Sequence, residues 1–192
     1  DKIKKGIAAS GGGEENFFPV YCTNPFRMPA GPEITKKEEE SETAVFVISR
    51  IAGEGADRQA EGGDYFLTEE EHCRLEAVCR LYQNVVIIVN AGGQIDLSFL
   101  DEFCNIKGLL ILVQPGMEGG NALADILSGK VNPSGKLTDS WAYQYEDYPN
   151  SETFSHNNGN VEREYYEEGI YVGYRYLDTF GIPVRYEFGF GL

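Results

Sequence analysis

From Thr43 onward the chain alternates short unbroken apolar runs with polar, helix-patterned stretches. Ala44-Val45-Phe46-Val47-Ile48, Val85-Val86-Ile87-Ile88-Val89 and Gly108-Leu109-Leu110-Ile111-Leu112-Val113 are continuous, largely β-branched runs. Such runs mark strands buried on both faces. Between the first two, Thr68-Glu69-Glu70-Glu71 reads as a capping box: the Thr68 hydroxyl accepts from the Glu71 amide while the Glu71 side chain reaches back. The helix behind it carries Leu75, Val78, Cys79 and Tyr82 at helical spacing. A short helix is expected around Leu97 to Cys104, and another from Ala122 to Leu127, stopping at Gly129. Strands alternating with helices predict an α/β fold: a three-layer sandwich, a mainly parallel sheet with right-handed crossovers and helices on both faces.

The flanks read differently. Residues 1–43 are expected to be an irregular segment packing on the domain formed by 44–192. Ser10-Gly11-Gly12-Gly13 is a flexible turn, Pro19, Pro25, Pro29 and Pro32 prevent long helices, and Lys36 to Glu42 is a solvated charge run. After Asn132-Pro133-Ser134-Gly135 the chain becomes rich in Tyr, Gly and Asn. Long loops, aromatic packing and an added edge strand near Ile170 to Arg175 are expected there.

The 192 residues suffice for one single-core domain. No apolar run approaches the roughly 20 residues of a membrane helix. The net charge of −15, from 16 basic and 31 acidic side chains, argues against a nucleic acid or an anionic membrane surface as partner. The four cysteines, Cys22, Cys73, Cys79 and Cys104, form no C-x-x-C pair, and only His72 and His156 accompany them. A zinc site is not expected, no cofactor is called for, and the cysteines read as reduced core thiols. The first residue is Asp1 and no secretory leader is evident, so both ends look like cuts from a longer polypeptide. The unpaired cysteines slightly favour a cytoplasmic setting.

In open parallel sheets ligands bind outside the carboxyl ends of the strands. Three strands here run into glycine-bearing loops: Gly53-Glu54-Gly55, Gly92-Gly93 and Pro115 to Gly120. Glu54, between two glycines on a loop without apolar neighbours, is either a projecting functional carboxylate or a solvated loop residue. Asp57-Arg58 reads as a loop-bracing ion pair. Glu118, before Gly119-Gly120, reads as a helix cap. Asp139-Ser140-Trp141 reads as the start of a loop rather than a nucleophile, and His156 as a loop residue. Neither G-x-G-x-x-G nor G-x-x-x-x-G-K-[ST] occurs, which leaves a nucleotide site weakly supported. With so few histidines no Ser-His-Asp or Cys-His arrangement can be built. The aromatics from Tyr165 to Tyr176 suit either sugar stacking or loop packing.

Several segments together resemble family-three glycoside hydrolases. Ile48-Ser49-Arg50-Ile51-Ala52-Gly53-Glu54-Gly55-Ala56-Asp57-Arg58 is similar to the segment that carries that family's general acid/base. Pro115-Gly116-Met117-Glu118-Gly119-Gly120, the stretch from Gly129 to Leu137, Tyr166 to Tyr176 and the closing Phe188-Gly189-Phe190-Gly191-Leu192 resemble later motifs of the same domain, in the family's order. Thr138 departs from the proline usual in the Lys-Leu-Pro stretch. The resemblance implies an α/β sandwich that packs against a (β/α)8-type barrel domain elsewhere in the parent chain. It implies that the barrel supplies an aspartate nucleophile and most sugar contacts, and that Glu54 is the acid/base. It further implies a carbohydrate, β-glucoside-like substrate and a β-glucosidase-like retaining hydrolase, with this chain inactive alone. The rival readings are a non-catalytic ligand-binding or scaffolding domain and a flavodoxin-like nucleotide-binding module.

Overall fold

The computed structural model describes residues 19–22, 41–51, 57–154, 162–163 and 165–192. Strands β1 (Pro19–Cys22), β2 (Thr43–Ser49), β3 (Asn84–Asn90) and β4 (Ile106–Ile111) form one sheet in the order β1-β2-β3-β4. Every neighbouring pair in it is parallel. β2 and β3 run in unbroken register from Thr43↔Asn84 to Ser49↔Asn90. The first two apolar runs are therefore strands, as expected; the third is a strand only to Ile111, and β4 begins two residues earlier than its run, at Ile106. β1 lies within the segment read as irregular. Its four residues are too few to show a period, and proline at its first position is compatible with a strand start.

The pleat divides the core into two layers. Ala44, Phe46 and Ile48 of β2 and Val85, Ile87 and Val89 of β3 face helix α1 (Glu69–Leu81), whose Leu75 and Val78 are fully buried. Val45 and Val47 of β2 and Ile88 of β3 face the other way, onto Leu123 of helix α2 (Gly119–Leu127). The sheet thus carries a helix on each face, the three-layer α/β sandwich expected. The Thr68 capping box forms as read: Glu71 N–H donates to Thr68 Oγ1 at 3.1 Å, and Thr68 N–H to Glu71 Oε2 at 2.9 Å. The short element after β3 is a 3-10 turn, Ser98–Asp101, rather than a helix reaching Cys104. α2 begins at Gly119, three residues before the expected start. Among the described residues no helix is long and apolar enough to cross a membrane.

The C-terminal part corrects two expectations. No edge strand forms near Ile170 to Arg175; helix α3 (Tyr174–Phe180) begins there instead, closed by Gly181 at φ 63°. The aromatics that suggest a strand pack as ring pairs, Tyr176 on Phe180 and Tyr174 on Phe188. A separate antiparallel pair joins β5 (Trp141–Ala142) to β6 (Val184–Tyr186). The second correction concerns the cysteines. Of the three cysteines whose side chains are described, Cys73 and Cys104 are exposed and Cys79 is half-buried, and all three are free; the Cys22 side chain lies outside the described residues. Cys73 lies two residues from both Glu71 and Leu75, so it falls on the outward face of α1. Burial, with Cys104 nearby, pushes the Cys79 thiol up to about 11.

Arg185 of β6 grips Asp101 with both terminal nitrogens, at 2.9 and 2.5 Å, and ties the C-terminal pair to the β3–β4 connection. The hydrogen bond from Arg185 holds the Asp101 carboxyl below the ordinary carboxylate value. A depressed carboxylate stabilises the fold above its unfolded value, about 3.9, and this contribution disappears as pH falls through the folded value. The stability difference between the wild type and Asp101→Asn is therefore expected to be present at pH 6, to begin shrinking near the unfolded value of about 3.9, and to vanish only once pH is below the folded value. Because Asp101 is exposed, that difference stays within about 1 kcal/mol. Urea melts of both chains across pH check it.

Candidate functional site at the carboxyl edge of the sheet

β2, β3 and β4 are parallel, so the chain leaves all three at one edge. The ladder continues one step past them, with Arg50 N–H to Asn90 O at 3.0 Å and Leu112 N–H to Val89 O at 2.8 Å. The Gly92 and Pro115 loops leave from this edge, as does the stretch after Ser49. Glu54 falls outside the described residues, which end at Ile51 and resume at Asp57.

Arg50 directly follows β2 and is buried to 8 % exposure. Its guanidinium is fully engaged. Nη1 and Nη2 donate to the two Glu71 carboxylate oxygens at 2.7 and 3.0 Å, and Nε donates to Asp64 O at 2.7 Å. Further bonds reach Ser49 O and Phe66 O at 2.9 and 3.1 Å. Glu71 thus caps α1 and neutralises Arg50 at once, fixing the helix N-terminus to the strand end. A buried arginine in this bidentate form is a rigid anchor.

Arg58, eight residues later, converges on the same place. Nη2 donates to Asp64 O at 2.9 Å, the carbonyl that also accepts from Arg50. Nε donates to Asp64 Oδ1 at 2.5 Å, and the Gln59 amide to Oδ2 at 2.6 Å. Arg58 braces its loop through an ion pair with Asp64, a carboxylate that the sequence reading, which paired Arg58 with Asp57, did not name. Nη1 crosses to the β3 loop and donates to Gln94 O at 2.6 Å. Gly93 permits this approach, because a Cβ there would stand 2.9 Å from Nη1. Gln94 in turn donates to Ser140 O at 3.0 Å, and the Ser140 hydroxyl accepts from Phe188 N–H at 3.1 Å. Beneath the loop, the Tyr65 ring packs on Phe66, Tyr145 and Tyr148. A recess of about 230 Å³ opens beside Arg58, with Gln59, Glu61, Tyr145 and Phe154 among its walls.

The third loop is tight at its base. A Cβ on Gly119 would meet Pro115 Cγ at 2.3 Å, so only glycine lets α2 start against this proline. Val113 holds φ 57°, a strained value for a β-branched residue, and is half exposed. Ile51, two residues past β2, and Met117, in the Pro115 loop past β4, are 70 % and 83 % exposed, so the carboxyl edge presents apolar side chains to solvent.

A family model described as the glycosyl hydrolase family 3 C-terminal domain matches residues 23–174. The chain belongs to this family. It is 41 % identical over 167 residues to a beta-glucosidase of Ruminococcus albus, covering 86 % of this chain and 17 % of that protein. It is 35 % identical to beta-glucosidase A of Butyrivibrio fibrisolvens, covering 92 % of this chain and 25 % of that protein. The solved structure of beta-glucosidase 3B from Thermotoga neapolitana in complex with glycerol superposes with a TM-score of 0.73 at 40 % identity, covering 79 % of this chain and 22 % of that one. The chain therefore spans a quarter or less of the length of these relatives.

Within this family 3 domain the remaining candidates take structural places. Ser140 is buried and held by Phe188 and Gln94, which fits the reading of Asp139-Ser140-Trp141 as framework. Glu118 stands at the N-cap position of α2 but makes no side-chain cap bond; its carboxylate accepts from Asn121 at 2.5 Å. Glu168 accepts from Asn150 at 2.6 Å. His72 pairs with Glu102 at 2.8 Å, and His156 lies outside the described residues. No group of three or more His, Cys, Asp or Glu among the described residues is placed to hold a metal ion. The Arg50–Glu71 and Arg58–Asp64–Gln94 clusters are the features that sequence reasoning missed. The available signal was an arginine set directly behind an unbroken apolar strand.

Proposed function

We propose that the full-length polypeptide containing this domain is a retaining β-glycosidase of the β-glucosidase type, and that Glu54 is its general acid/base. The observation that carries this reading is membership of the family, with Glu54 inside the matched residues and four positions from each of two arginines anchored at the carboxyl edge. The relatives named beta-glucosidase support a terminal β-O-glucoside as substrate class. Retaining hydrolysis uses two carboxylates about 5–5.5 Å apart, one attacking the anomeric carbon and one protonating the leaving oxygen. The nucleophile, an aspartate, belongs to a (β/α)8-type barrel outside this chain. The exposed Ile51, Val113 and Met117 at the carboxyl edge suit a surface that such a domain covers. Glu54 then approaches the glycosidic oxygen from the opposite side, carrying a proton for the first step. It acts as base once the nucleophile's charge is consumed. In this reading residues 44–192 form most of the sandwich domain, and the segment 1–43 adds strand β1 to its sheet. The family match gives the flavodoxin-like alternative no support.

The test is direct. The full-length polypeptide is expected to hydrolyse a 4-nitrophenyl β-glucoside with retained configuration. The purified 192-residue chain is expected to show no turnover above buffer, because it holds one carboxylate of the pair. Robust turnover by the 192-residue chain alone contradicts the two-domain reading.

A further inference from the structure

The geometry points to Arg58, clamped by Asp64 and Gln94, as a positioning residue that sets where the acid/base stands; the inference rests on Glu54 filling that role. Arg50 and Arg58 flank Glu54 symmetrically, and both donate to one atom, the Asp64 carbonyl oxygen, at 2.7 and 2.9 Å. The two feet of the acid/base loop are thereby joined at a single point. The feet are not equivalent. Arg50 is buried in the α1 capping network and serves the fold. Arg58 is a quarter exposed and makes the long-range contact, across 36 residues to Gln94 O in the loop that follows β3.

Arg58 therefore references this foot to the β3 loop, which Gln94 in turn fixes to the buried Ser140. The chain of bonds from Arg58 to Gln94, Ser140 and Phe188 carries that reference into the C-terminal segment. General acid catalysis depends on reach: the donor must stand within hydrogen-bond distance of the leaving oxygen, and a shift of about 1 Å costs on the order of 10²-fold.

The experiment uses the full-length enzyme with aryl β-glucosides of graded leaving-group ability. Arg58→Ala is expected to slow substrates with poor leaving groups by about 10²-fold. Glycosylation by a dinitrophenyl substrate and KM stay near wild type. A loss of general stability lowers all substrates alike and does not produce this split. Gly93→Ala gives an independent route. Among the described residues, Arg58 atoms are the only ones within 4 Å of a Cβ at that position, apart from its chain neighbours. This variant is expected to give the same split at smaller size, and to add nothing in an Arg58→Ala background. It also serves if Arg58→Ala fails to fold. Glu54→Ala run alongside separates the two claims. If Glu54→Ala shows the leaving-group split and neither Arg58→Ala nor Gly93→Ala does, the positioning role is overturned and the acid/base reading stands. If Glu54→Ala shows no split, the acid/base reading falls and the positioning role with it.

Discussion

Glu54→Ala in the full-length enzyme is expected to slow hydrolysis of β-glucosides with poor leaving groups by about 10²–10⁴-fold, the range general acid catalysis supplies. The truncation removes the proton donor and leaves the nucleophile and the sugar contacts in place. An alkoxide or phenoxide of high basicity cannot depart without that proton, so its first step carries the whole loss. A dinitrophenolate leaves unaided, so the glycosyl-enzyme forms at nearly the normal rate. It then stalls, because water must be activated by the same carboxylate in the second step. Pre-steady-state kinetics with a dinitrophenyl β-glucoside are expected to show a burst followed by slow turnover. A loss equal across all leaving groups marks Glu54 as a structural loop residue and moves attention to Glu118 or Glu168.

Arg50→Ala is expected to be the most damaging substitution for the fold, at about 3–5 kcal/mol, the cost of breaking a buried ion pair by removing one partner. Arg50 and Glu71 side chains are 3 % and 15 % exposed, so little solvent can replace the lost partner. The Asp64 carbonyl keeps Arg58, while the Glu71 carboxylate loses both of its guanidinium bonds. The capping box of α1 then carries an uncompensated charge. For a domain of this size the loss corresponds to a fall of roughly 6–20 °C in Tm. Arg50→Ala combined with Glu71→Gln is expected to cost less than the sum of the two changes, since the second removes the stranded charge. Thermal melts of the four chains give the coupling. A Tm within 2 °C of wild type for Arg50→Ala, well below the shift expected from about 3 kcal/mol, contradicts the anchor.

The legible part of the fold is the part fixed by local physics. β2 and β3 carry unbroken apolar runs because both faces of a central parallel strand are covered, whereas β4, last in the order, carries the exposed Lys107. Thr68 and Glu71 announce the start of α1 from three residues apart, since a capping box is a local structure. What escaped is long-range or ambiguous. Arg50 reads as a polar residue leaving a strand; its burial depends on Asp64 O and Phe66 O, 14 and 16 residues away. The Arg58 bond to Gln94 spans 36 residues, beyond any pattern of spacing. Tyr174–Phe180 is rich in aromatic residues that favour strands, and tertiary packing of Leu177 decided for a helix. The bracketing Gly173 and Gly181, the latter a left-handed C-cap, were the readable sign. Glu54 stands out by its glycine flanks and by the family resemblance of its segment, and Arg58 reads as a brace, while the burial of Arg50 and the Asp64 and Gln94 partners of Arg58 are visible only in three dimensions.

Azide rescue of Glu54→Ala tests the central claim most directly. Azide needs no base, fits the space a deleted carboxylate leaves, and attacks the stalled glycosyl-enzyme at the anomeric carbon. With a dinitrophenyl β-glucoside as donor, added azide is expected to restore turnover and to yield β-glucosyl azide, the retained configuration, by NMR of the product. Unchanged turnover with no glycosyl azide, or an azide of inverted configuration, contradicts Glu54 as the acid/base of a retaining β-glycosidase.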